Sequence, residues 1–210
     1  TKNRFGSTDE VAAFRMTGAG LEPVADPSGL FLEDRPAGAS GSVVTVAMHG
    51  SQPMLTEIQA LTAPARYGSP QRMTTGFPPR RLSILLAVLE RRAGLALGDS
   101  DVFLSIVGGA RLTDPGADLA VLAALASSHL DRAVGPAAAL VGEVGLSGEL
   151  RGVSRPEARV RAAVRAGLDD VVLPSVHREA LAGVRGARFA DHVRDVVEEL
   201  RGAPTARGDG

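Results

Sequence analysis

Between residues 101 and 173, short apolar runs alternate with alanine- and leucine-rich stretches of helical period. That alternation calls for a sheet covered by helices. Val102 to Val107 reads as a strand, broken by Gly108-Gly109. Pro115 to Leu130 reads as a helix entered through Thr113 or Asp114 as N-cap. Ala138 to Val144 is a buried strand, and Leu146-Ser147-Gly148-Glu149-Leu150 is a hairpin turn. Pro156 to Ala166 is a helix with proline in its first turn and Gly167 at its end, and Val171 to Leu173 is a short buried strand. Upstream, Val43 to His49 and Met54 to Ala63 read as strands about a turn at Gly50 to Pro53. Residues 64–80 read as a long loop, and Arg81 to Ala93 as a strong helix stopped by Gly94. Downstream come a short helix from His177 to Ala182, a strand end at Phe189 and a last helix from His192 to Arg201. The fold class is α/β, more exactly mixed α+β: a mixed sheet packed with helices.

The first forty residues have another texture. Val11 to Met16 alternate as in a strand, Gly18 to Gly20 turn the chain, and Leu21 to Val24 return it. Asp26-Pro27-Ser28-Gly29 is a further turn, Leu30 to Leu32 begin a short helix, and Arg35 to Gly41 form a linker. The expected division is 1–40, 41–202 and a tail at 203–210 with nothing to bury. With 210 residues and 44% apolar content a sizeable core is possible, but 3% aromatics means that Ala, Val and Leu must build it. A net charge of −1 excludes a uniformly basic protein, not a basic face. The positive charge is almost all arginine, since Lys2 is the sole lysine. Arginine suits bidentate contacts to phosphate or carboxylate, though the same bias also suits a GC-rich genome. With no cysteine, disulfides, zinc knuckles and thiol nucleophiles are excluded. The apolar runs are too short to span a bilayer, so no membrane partner and a cytoplasmic location are expected.

Two motifs carry a resemblance. The first is Lys2-Asn3-Arg4-Phe5-Gly6, followed by Phe14, Met16, Gly20-Leu21 and the run from Asp26 to Leu32. The second runs from Val102-Phe103 through Gly108-Gly109-Ala110-Arg111 and Ala117 to Val121, then from Gly142 to Arg151. Over about residues 2 to 200 the chain resembles the RadA (Sms) family of bacterial DNA repair proteins, from the end of its RecA-like ATPase core through its Lon-protease-like domain. The resemblance implies that residues 1–40 end the ATPase core and that 41–202 form the Lon-like domain. It implies a hexameric ring helicase that drives ATP-dependent branch migration on single-stranded and branched DNA, beside a recombinase of the RecA type. ATP and magnesium would belong to the parent's ATPase core and zinc to its N-terminal finger. This chain has no GxxxxGK[ST] and no cysteine, so no cofactor is expected in it.

Active Lon-type proteases carry their serine in a Gly-Pro-Ser-Ala-Gly loop and a lysine at the start of the helix after the hairpin. Here Asp114-Pro115-Gly116-Ala117-Asp118 puts Gly116 in the nucleophile's place, and counting from Gly148 puts Glu157 in the base's place. The nearest cations, Arg155 and Arg159, stay charged and cannot deprotonate a serine. No catalytic residue is assigned. For DNA, Lys2 and Arg4 project to one side of an extended segment. Arg155, Arg159, Arg161 and Arg165 take the half of the third helix opposite Val160, Ala163 and Val164, as a phosphate-tracking face. Arg80 and Arg81 form a second patch, and Arg111 and Arg151 follow glycine-rich turns. Lys2 and Arg4 have an ordinary alternative as a solvated turn and the helix arginines as a solvated face, while Arg111 and Arg151 have the alternative of interface residues between ring subunits. His49, His129, His177 and His192 show no metal spacing, so no metal is assigned. Two other readings stay open: a Lon-type serine peptidase with a displaced dyad, and a purely architectural oligomerisation domain.

Overall fold

The structure, a computed structural model, describes residues 13–17, 20–24, 38–66 and 68–203. The Lys2 to Gly6 motif, the turn expected at Asp26 to Gly29, the helix expected at Leu30 to Leu32, residues 35–37 of the linker and residues 204–210 lie outside the described residues. In the N-terminal part, β1 (Ala13–Thr17) pairs antiparallel with β2 (Gly20–Val24), in register from Ala13↔Val24 to Thr17↔Gly20.

The main sheet has seven strands: β3 (Ser42–His49), β4 (Gln52–Pro64), β5 (Arg72–Thr75), β6 (Ser100–Ile106), β7 (Ala138–Leu140), β10 (Asp170–Pro174) and β11 (Ala187–Ala190). Their order is β11-β10-β7-β3-β4-β6-β5. Strands β11, β10, β7 and β3 run parallel, while β3–β4 and β4–β6 are antiparallel. A separate two-stranded ribbon pairs β8 (Glu143–Val144) with β9 (Leu150–Arg151).

Alternate residues of β3 face opposite layers, as the period of a strand requires. Val43 and Ala47 pack under α1 (Pro79–Ala93), α2 (Asp118–Leu130) and α4 (Val193–Gly202). Val44 and Val46 pack under α3 (Pro156–Arg165). The helix α1 earns its place through Leu82, Leu85, Leu86 and Leu89, which fall on one face; Pro79 opens it and Gly94, in the left-handed region at φ 67, closes it. The helix α2 is buried from Asp118 to Ser127, as an apolar surface all round demands. In α4, His192 and Asp195 form a reciprocal cap at the N-terminus. No helix among the described residues is long and apolar enough to cross a membrane.

Three local expectations are corrected. The loop at 64–80 contains β5, which pairs parallel with β6 through Met73↔Phe103. A four-residue edge strand with no apolar run of its own leaves no periodic signal. The single strand expected from Ala138 to Val144 is split: after Val141 the chain leaves the sheet, and the Gly142 N–H donates to the Gly116 carbonyl at 2.7 Å. The helix expected at His177 to Ala182 is only a 3-10 turn at Ser175–His177 followed by turns, too short a segment to sustain an α-helix.

Candidate functional site

The segment Pro115–Ala117 is one 3-10 turn that leads directly into α2. Its opening residue, Asp114, accepts from the Gly116 N–H at 2.9 Å and from the Met48 N–H at 2.7 Å. The same carboxylate takes Arg159 Nη1 at 2.6 Å. Arg159 is 0% exposed. Its Nη1 also donates to the Val46 carbonyl at 2.6 Å and its Nε to the Ser154 carbonyl at 2.9 Å. One guanidinium therefore joins the end of β3, the turn before α2 and the approach to α3. Burial pushes the Asp114 carboxyl up, but Arg159 and the two backbone N–H groups outweigh it and hold the carboxyl below its ordinary value.

Gly116 sits against this network. A side chain there would begin 3.0 Å from Arg159 Nη1, 3.1 Å from Asp114 Oδ1 and 3.2 Å from Val153 Cγ1. Glu157 does not face it. Its side chain is 52% exposed and bridges Arg161 at 2.6 Å, one helical turn on. The structure thus sets Arg159, not Glu157, opposite Gly116. On the far side of the turn Asp118 is buried at the start of α2 and paired with Arg81. Arg81 Nε lies 3.0 Å from Asp118 Oδ1, and its Nη2 donates to the Val144 carbonyl at 3.0 Å. Burial pushes the Asp118 carboxyl above its ordinary value, against the pull of Arg81 and the Val144 N–H. Beside both pairs lies a cavity of about 310 Å³ lined by Phe77, Arg81, Leu112, Asp114, Asp118 and Glu143. At this position there is no nucleophile. The carboxylate of Asp114 is held by three donors, and arginine accepts no proton.

Residues 94–199, half of the chain, match the family of the Lon protease (S16) C-terminal proteolytic domain. The chain belongs to that family. It is also similar to proteins described as DNA repair protein RadA. Identity is 44% over 200 residues for that of Bacillus subtilis (strain 168), which is 95% of this chain and 43% of that protein. It is 46% over 173 residues for Halalkalibacterium halodurans, 82% of this chain and 38% of the relative. It is 45% over 183 residues for Streptococcus pneumoniae (strain ATCC BAA-255 / R6), 87% of this chain and 43% of the relative. The resemblance read from the motifs to the C-terminal part of RadA is met along most of the chain, which spans about two fifths of the length of these relatives.

In this Lon-like frame the candidate arginines do not form one face. Arg159 is removed from the solvent-facing set, because α3 presents Arg159, Val160, Ala162 and Ala163 to the sheet. The buried arc is centred between Arg159 and Ala163, since the small Ala162 and Ala163 let the helix roll onto β3 and β4. Arg81 is likewise committed, to Asp118. Arg161 and Arg165 remain exposed and meet Arg185 along a groove of about 460 Å³ that also holds Glu157, Val160 and Val164. Arg155 is the exposed N-cap of α3, in the left-handed region at φ 49, with Nη1 on the Ser51 carbonyl at 2.8 Å. Arg151 pairs with Glu149 at 2.6 Å, and Arg111 is exposed. Arg80 is exposed on α1, in the layer opposite α3, so it cannot extend the Arg161–Arg165 patch. Among the described residues no group of three His, Cys, Asp or Glu is placed to hold a metal.

The reading of Asp114 as an N-cap is met by the bond from the Gly116 N–H, but sequence reasoning missed the pairing of Asp114 with Arg159, the pairing of Asp118 with Arg81, and Arg185. A signal existed for the first two. Both acids flank a turn otherwise made of Pro, Gly and Ala, where a carboxylate beside an apolar helix requires a cationic partner.

Proposed function

We propose that this chain is the non-hydrolytic Lon-like part of a RadA-type DNA repair protein, and that it serves as a ring-assembly and DNA-binding scaffold. The observation that carries this reading is Gly116 packed against Arg159: the nucleophile's place has no side chain, and the space around it is filled by a cation locked to Asp114. In this reading residues 1–40, with Lys2, Asn3, Arg4, Phe5 and Gly6, end a RecA-like ATPase core. The parent protein would be a hexameric, cytoplasmic helicase that hydrolyses ATP to move DNA branches, on single-stranded and branched DNA and beside a RecA-type recombinase. ATP with magnesium, and zinc, would be held by that core and by a cysteine finger. The residues of this chain do not fit either group, since it has neither a phosphate loop nor a cysteine.

The name shared by the relatives supports DNA as the partner. The exposed Arg161, Arg165 and Arg185 supply cations that can meet phosphates without reading bases. Two measurements on the intact chain test the reading. A casein or fluorogenic-peptide assay should give no cleavage, and robust cleavage would overturn the scaffold. A titration with single-stranded DNA over a range of salt should give weak, sequence-indifferent and salt-steep binding. No binding at low salt would leave only the architectural role.

A further inference from the structure

The solvent face of α1 is not uniformly polar. Arg80, Ile84, Ala87 and Arg91 stand four, three and four residues apart and so share one stripe, about 16 Å long at 1.5 Å per residue. Beside it the tip of the β8–β9 hairpin projects Leu146, which is 70% exposed. Together they enclose a groove of about 450 Å³ lined by Ser83, Ile84, Ala87, Arg91, Arg92 and Leu146. Ser83 and Ala87 keep the floor low, while Ile84, 39% exposed, and Leu146 form its apolar ridges.

The exposure of Leu146 is built in. Arg92 Nε donates to the Leu146 carbonyl at 3.2 Å, and His192 contacts the Ser147 carbonyl at 2.9 Å through Nε2. His192 Nδ1 accepts from the Arg194 N–H, so Nε2 carries the proton and donates. Ser147 N–H is taken in turn by Glu149 at 3.1 Å. A hairpin tip fixed from both α1 and the cap of α4 holds its leucine ready, which removes the ordering cost of docking. The charge that lines the groove has one sign: Arg91 and Arg92 line it and no carboxylate does. Arg80 stands one turn before Ile84 on the same stripe of α1. Glu90 of the same helix turns to the other flank, with Oε1 beside Gly98.

We propose that this groove docks an acidic, amphipathic segment of a partner protein, with one or two large apolar side chains seated between Ile84 and Leu146 and carboxylates meeting Arg80 and Arg91. Nucleic acid has no use for an aliphatic floor, and the groove offers no aromatic side chain on which a base would stack. The proposal is independent of the DNA-binding reading, which rests on α3 in the opposite layer.

The test is a random 15-residue peptide library panned on the intact chain and, in parallel, on the Ile84→Asp, Leu146→Asp double variant. Both substituted positions are exposed, and circular dichroism checks that the variant folds. Peptides retained by the parent chain should be net acidic, with apolar residues three or four apart. Their affinity should fall at least tenfold on the double variant and on Arg80→Glu with Arg91→Glu. Neutral or basic consensus peptides, or equal affinity for parent and variants, would overturn the proposal. So would competition of the selected peptides by a 20-nucleotide single strand, which would give the groove to nucleic acid.

Discussion

Arg159 is a buried cation tied to three segments of the chain. A guanidinium with no solvent exposure is stable only because the Asp114 carboxylate and the Val46 and Ser154 carbonyls accept its hydrogen bonds. Replacing it with alanine leaves the largely buried Asp114 carboxylate without its cation, and should destabilise the fold by about 3–5 kcal/mol in a urea titration. A loss under 1 kcal/mol would mean that the pair is replaceable by packing alone. Gly116→Ser should fold, less stably by about 1–3 kcal/mol, because Arg159, Asp114 and Val153 must each yield a few tenths of an ångström. It should show no peptidase activity, alone or with Glu157→Lys, because position 157 points to solvent and away from Gly116. Detectable cleavage of a fluorogenic peptide by the double variant would contradict that geometry. Asp114 also sets an acid limit. Its folded value is held below the ordinary carboxylate value, so its contribution is present above about pH 4 and disappears as pH falls through the depressed value. Asp114→Asn should therefore flatten the decline of thermal stability in that window.

At the scale of elements, α3 and the hairpin are held by their ends. His177 Nε2 accepts from the Val153 N–H at 2.8 Å, which ties the turn after β10 to the approach of α3. Burial, with Arg159 nearby, holds the ring below its ordinary value, so the neutral form is the native one. The stability it contributes is present above about pH 6.5 and is lost as pH falls below that. His129, depressed by burial, adds in the same direction. His177→Gln should reduce, without abolishing, the loss of stability between pH 7 and pH 5. An unchanged profile would assign the effect elsewhere. Gly148 shows the same economy in the hairpin: at φ +89 its hydrogen is the only substituent that fits, since a Cβ would lie 2.4 Å from the His192 ring. On the outer face of α3, Arg161→Glu with Arg165→Glu keeps the fold, because both side chains are exposed. On the DNA-binding reading it should weaken single-strand binding uniformly across sequences and flatten the salt slope by about one to two. Unaltered binding at every salt concentration would make this helix a solvated face.

For the whole molecule, the proposed ring predicts a mass above that of one chain in solution. The β4–β6–β5 end of the sheet, on the layer that α3 leaves bare, exposes Leu61 and Met73 either side of Phe103. A monomeric mass by light scattering at high protein concentration would count against self-association through this chain. Most of the strands and helices from residue 42 to 202 were legible because they carry a period or a stop signal, such as the leucines of α1 and Gly94 after it. The weaker edges were not. Strand β5 is held by its neighbour rather than by its own residues, and the break at Gly142 is set by a bond to Gly116, a contact between segments 26 residues apart.

The sequence by itself determined the fold class, the Lon-like and RadA-like motifs, and the glycine where a nucleophile would stand, because composition and spacing are local facts. Only the tertiary structure decided which arginines are free. A helical wheel fixes the angles between Arg159, Arg161 and Arg165, but not the roll of the helix against its sheet. That roll is set by Ala162 and Ala163 packing on β3 and β4, and by a carboxylate at Asp114 that draws one guanidinium inward while its neighbours stay in water.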